Sequence, residues 1–103
     1  MNHLPHLGQG DFISLSINGG FVEFRFDLGS DPVVVRSSKK VELKKFQRLV
    51  AKLHNQVGIL QLQRHDGSVY DETRASSDKM LTVLDLQVGL FNDSSRDFKI
   101  TVK

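Results

Sequence analysis

The chain has 103 residues, room for one domain at most, since single domains run from about 50 to 250 residues. Its 39% hydrophobic and 25% charged residues are ordinary globular usage, and 7 Phe with no Trp supply the large apolar groups of a core. The absence of Cys excludes a disulfide framework and a thiolate zinc site, and a formal net charge of +2 is too small to point to nucleic acid by itself.

The run Met1-Asn2-His3-Leu4-Pro5-His6 has neither a basic n-region nor an apolar h-region, and no stretch approaches the roughly 18 apolar residues of a membrane span. From Phe12 onward the pattern is that of strands, with Ile13, Leu15 and Ile17 on one face and Ser14, Ser16 and Asn18 on the other. Asn18-Gly19-Gly20 tolerates positive φ and so predicts a turn. The next run places Val22, Phe24, Phe26 and Leu28 inward against Glu23, Arg25 and Asp27, completing a hairpin. Gly29-Ser30-Asp31-Pro32 is turn chemistry, and β-branched Val33-Val34-Val35 predicts a short third strand. Three strands joined by tight turns indicate an antiparallel architecture.

The segment Val41 to Val57 reads two ways. Leu43, Phe46, Leu49, Val50, Leu53 and Val57 recur near helical spacing, with Lys44, Lys45, Arg48 and Lys52 largely opposite, so periodicity alone favours an amphipathic helix. As a strand it has one mixed face, Phe46, Arg48, Val50 and Lys52, and one mostly apolar face, Gln47, Leu49, Ala51 and Leu53. Ile59 to Gln63 is a strand ended by Asp66-Gly67. Arg64 to Lys79 is polar and reads as a loop or weak edge region, after which the apolar pattern resumes from Met80 to Leu90. Phe98 to Val102 alternates as a last strand.

Gly10-Asp11-Phe12-Ile13-Ser14-Leu15, Gly20-Phe21-Val22-Glu23-Phe24-Arg25-Phe26-Asp27-Leu28-Gly29-Ser30 and Val33-Val34-Val35-Arg36-Ser37 resemble the laminin G-like family in residue type and spacing. The resemblance continues more weakly through Lys45 to Lys52 and Gly58 to Leu62, and returns at Leu81 to Leu86. It implies an all-β fold, an antiparallel β-sandwich of jelly-roll type in which Val41 to Leu53 is turn and strand. The reading without it is an α+β domain with a helix near 41–57. Where the family usually has Gly followed by Trp-His, this chain has Lys44, Phe46 and Gln47, and Leu53 stands at a position that is often Arg. The family's first strands should precede Gly10, and its Gly-Gly turn and Cys-containing segment are replaced by Gln87 to Asp93. The expectation is therefore an N-terminal extension over 1–9 and a partial laminin G-like domain over 10–103.

Many domains of this family bind one calcium ion at a rim of the sandwich. Followed residue by residue, the resemblance places Asp11 as a first carboxylate ligand and Leu28 as a carbonyl donor. Val83 falls where a second carbonyl belongs, and Asp85 where a second side-chain oxygen belongs. Calcium takes six to eight oxygens, so two carboxylates with carbonyls and waters make a weak, open site able to bridge to an anionic ligand. The second candidate is the basic cluster Lys39, Lys40, Lys44, Lys45, Arg48 and Lys52, whose field attracts polyanions when it is not simply a solvated face.

Asn92-Asp93-Ser94 is an N-glycosylation sequon, meaningful in a secreted chain. His3, His6, His54 and His65 have no metal-ligand spacing, His65-Asp66 makes no triad, and no base-stacking aromatics interleave the basic residues. The expected function is a non-enzymatic extracellular module that binds acidic glycans, such as heparan sulfate or dystroglycan-type glycans, or an extracellular or cell-surface protein, with calcium at the rim. Neither nucleic acid nor a membrane span is expected. The alternative is an intracellular α+β packing or partner-binding domain without a ligand.

Overall fold

The computed structural model describes residues 12–27, 32–91 and 98–102, with the side chains of 77–83 and 98–102 left aside. Six strands run in the order β1 (Phe12–Asn18), β2 (Phe21–Asp27), β3 (Val33–Lys40), β4 (Phe46–Arg64), β5 (Val69–Phe91) and β6 (Phe98–Val102). The first sheet is antiparallel with order β3-β2-β1-β6, and β4 pairs with β5 in a second. The chain is all-β and two-layered, as the family resemblance implies.

The predicted hairpin is present. Ile17 pairs with Val22 and Ile13 with Phe26, joined through Gly19 and Gly20 at φ 63° and 87°. Gly20 accepts from the Val41 N–H at 2.9 Å, which anchors the chain as it leaves β3. Ile13, Leu15, Ile17, Val22, Phe24, Phe26 and Val35 bury one face of this sheet against Leu49, Ala51, Leu53, Leu60, Leu62 and Leu84 of the other. Phe24 and Phe26 stack at 5.3 Å with a 43° tilt in the middle of the layer.

The helical alternative over 41–57 is overturned. Leu43 to Lys45 is a turn, and Phe46 opens β4. The apolar spacing looked helical because Leu49, Ala51 and Leu53 face the core while Val50, on the outward face between exposed Arg48 and half-buried Lys52, is itself only 1% exposed. One apolar residue buried on the outward face is enough to break the period-two pattern. Lys44 adopts φ 60°, so the turn holds without the family's glycine, at a position where a side chain is disfavoured.

The loop expected over Arg64 to Lys79 is also corrected. Only a tight turn after Arg64 separates the strands, closed by the Gly67 N–H to the Arg64 carbonyl at 2.9 Å, and β5 begins at Val69. The pattern was hidden because the inward positions here carry polar residues, Asp71 and Thr73, while Glu72, Arg74 and Ser76 face solvent.

Both long strands must bend. Fully extended, the 19 residues of β4 would span about 60 Å. The longest dimension of the molecule is 37 Å. The bend is at Asn55, which takes φ 56° and interrupts the β4–β5 register on both sides. Asn tolerates the left-handed region better than most residues. The first half of β4 pairs with Leu81 to Phe91 and the second with Val69 to Ser76. Tyr70, next to the partner of Gln63, nevertheless donates its hydroxyl proton to Gln47 Oε1, so the two halves lie alongside each other.

Candidate functional site

The fold-back of β4 brings its two ends together. Phe46, Gln47 and Arg48 meet Arg64 and His65, and Gly89, Leu90 and Phe91 of β5 complete a cleft of about 340 Å³. Phe46 and Phe91 are register partners whose rings sit 4.7 Å apart with a 46° tilt. Phe46 is 69% exposed and Phe91 47%. A second opening of about 410 Å³ is lined by Glu42, Lys45, Phe46, Arg64 and His65.

Glu42 organises the charges here. Its carboxylate lies 3.9 Å from Lys45 Nζ and 3.6 Å from Arg64 Nε, while its backbone N–H and carbonyl bond the Gln47 amide at 3.3 Å and 2.6 Å. Arg64 also stacks its guanidinium 4.8 Å from the centre of the Tyr70 ring. Burial, and then the nearby Glu42 charge, push the Tyr70 hydroxyl above the usual phenol range, so it remains a donor to Gln47 at neutral pH.

The predicted basic cluster is divided among three places. Lys39 and Lys40 end β3, where Lys40 and Arg36 flank the Phe21 ring, 5.6 Å and 4.5 Å from its centre. Lys45 and Arg48 line the Phe46 openings, and Lys44 occupies the adjoining turn. Lys52 stands apart, directly opposite Asp85 in the β4–β5 register. Lys39, Lys40, Lys44, Arg48 and Lys52 form no ion pair among the described residues. Arg64, His65, Phe46 and Phe91 were missed as site residues. Their convergence depends on the bend at Asn55, and no local signal marks it.

Of the calcium candidates, Asp11 and Leu28 lie outside the described residues, as does the sequon at Asn92. The residues flanking the first two, Phe12 and Asp27, are register partners at one end of the β1–β2 hairpin. Val83 belongs to β5, and Asp85 is exposed there with no ion pair among the described residues. Among the described residues no three His, Asp or Glu gather as a metal cage. An oxygen-only donor set with a free carboxylate fits a hard dication, but Lys52 opposite Asp85 weakens the attraction.

The laminin G domain family model matches residues 2–101. Pikachurin of Bos taurus is 40% identical over 57 residues, 55% of this chain and 6% of that protein, and pikachurin of Homo sapiens matches with the same identity and coverage. The basement membrane-specific heparan sulfate proteoglycan core protein of Mus musculus is 40% identical over 52 residues, 50% of this chain and 1% of that protein. No solved structure matches. With a family match across nearly its whole length and the two-layered antiparallel fold, the chain belongs to the laminin G domain family.

Proposed function

We propose that the chain is a non-enzymatic extracellular interaction module that binds acidic glycans of the heparan sulfate class. The observation that carries this reading is the set of exposed cations, Lys39, Lys40, Lys44 and Arg48, that have no ion-pair partner among the described residues. Unpaired surface cations leave their field available to a polyanion, with an affinity that falls as salt rises. The extracellular setting rests on family membership and on a relative named as a basement-membrane proteoglycan core.

Heparin chromatography tests the reading. Substituting glutamine for Lys44, Lys45 and Arg48 together removes three exposed contacts worth about 0.5 kcal/mol each, which amounts to roughly tenfold in affinity. Earlier elution in salt is expected, and an unchanged elution position refutes the glycan reading.

In the same proposal calcium is held by Asp11, Asp85 and the carbonyls of Leu28 and Val83. It would supply a positive centre with open positions for an anionic group. Calorimetry is expected to give a Kd of about 10⁻⁴ to 10⁻³ M, as in other extracellular modules. Asp11→Ala should abolish the heat and Lys52→Gln should strengthen binding. Binding heat that Asp11→Ala leaves unaltered removes calcium from the proposal.

A further inference from the structure

From the cleft between the ends of β4 we infer a second binding surface, opening around Phe46 and Phe91, for an acidic protein segment that inserts an aromatic or aliphatic side chain. Its first support is exposed apolar area where a soluble domain usually hides it. The large apolar residues exposed among the described residues include Leu43 at 49%, Phe46 and Phe91. Leu43 lies in the turn that leads into Phe46, and Phe46 faces Phe91 across the ladder. Gly89 adds no side chain to the cleft floor, and the space where its Cβ would stand is open to at least 4 Å.

Charge selects the occupant. Lys45, Arg48 and Arg64 line the openings around the rings, with Glu42 as the one carboxylate among the lining residues. Glu42 is shared between Lys45 and Arg64, which leaves Arg48 unpaired beside Phe46. Aromatic anchors ringed by arginine are the composition of protein-binding hot spots. A basic peptide would be repelled here, and a polyanion without apolar groups would leave both rings wet. The two openings that share Phe46, Arg64 and His65 have volumes of about 340 and 410 Å³, in the range of sites that take small groups.

The test is a phage-displayed library of random twelve-residue peptides panned on the immobilised full chain, followed by fluorescence anisotropy with the enriched peptides. Enrichment in Asp or Glu flanking Phe, Leu or Trp is expected. The pair Phe46→Ser and Phe91→Ser should weaken these peptides at least tenfold while leaving heparin elution unchanged. Arg48→Glu with Arg64→Glu should weaken peptides and heparin alike. Phe46 is largely and Phe91 about half exposed, and unaltered circular dichroism verifies that the serine variant folds. No enrichment, enrichment without acidic residues, or peptides held equally by the serine variant each overturn the inference. So does concentration-dependent self-association that the serine substitutions abolish, because the surface then belongs to a second copy of the chain. A change in heparin affinity on the serine substitutions alone assigns the rings to the glycan instead and also overturns it.

Discussion

Replacing Asp71 with alanine is expected to destabilise the domain by about 3 kcal/mol, a drop in Tm on the order of 15 °C for a chain of this size. Asp71 is 8% exposed on β5 and binds β3 with both carboxylate oxygens. Oδ2 accepts from the Ser38 N–H at 2.9 Å and the Lys39 N–H at 3.3 Å, and Oδ1 accepts the Ser38 hydroxyl proton. These bonds join the edge strand of the first sheet to the second sheet. Alanine removes the acceptor of three part-buried bonds, and hydrogen bonds to a charged group contribute about 1.5–3 kcal/mol each when buried and less where, as here, water can replace the acceptor. Asp71→Asn keeps the shape and one acceptor oxygen and should lose roughly half as much. Thermal denaturation of the three proteins checks the order wild type, Asn, Ala. An Asn variant as unstable as Ala would show that shape and acceptor count are not what this position supplies.

Gly58→Ala should destabilise by about 2 kcal/mol, and Gly58→Val by more, through overpacking. A Cβ at Gly58 would stand 2.6 Å from Phe26 Cε1 and 2.9 Å from Cζ, inside van der Waals contact. The Phe26 ring is 1% exposed and stacked on Phe24, so it has nowhere to move. Space should be recoverable by shrinking the ring. In a double-mutant cycle with Phe26→Leu, the combined loss should be smaller than the sum of the single losses by about 1 kcal/mol. Strict additivity by denaturant unfolding would mean that the two side chains do not compete for one volume.

The two positions also show how much was legible beforehand. Phe26 was readable as core because Val22, Phe24 and Phe26 alternate with Glu23 and Arg25 in a strand solvated on one face. Gly58 gave no such signal, since its reason for being glycine is a ring 32 residues earlier in the chain. Asp71 was worse than silent. Its charge made the start of β5 look like a loop, although that charge is matched by the β3 donors. Local pattern records whether a side chain prefers water, whereas a buried polar partner is a property of another segment.

The same division applies to the site. The basic residues were visible as a run in sequence, but sequence distance grouped Lys52 with Lys44 and Lys45, and the register sets it opposite Asp85 instead. The aromatic cleft was hidden altogether, because Phe46 and Arg64 are the two ends of one long strand.

By itself the sequence determined the β1–β2 hairpin, its inward face, the final strand and the family pattern, because each depends on residues two apart or on a turn of two glycines. The family pattern also implied turn and strand over Val41 to Leu53, against the local helical spacing, whereas only the tertiary structure decided that β5 starts at Val69 and that the ends of β4 enclose an aromatic and basic cleft. Those outcomes rest on partners supplied by segments far apart in the chain and on one residue, Asn55, able to turn a strand longer than the molecule back along itself.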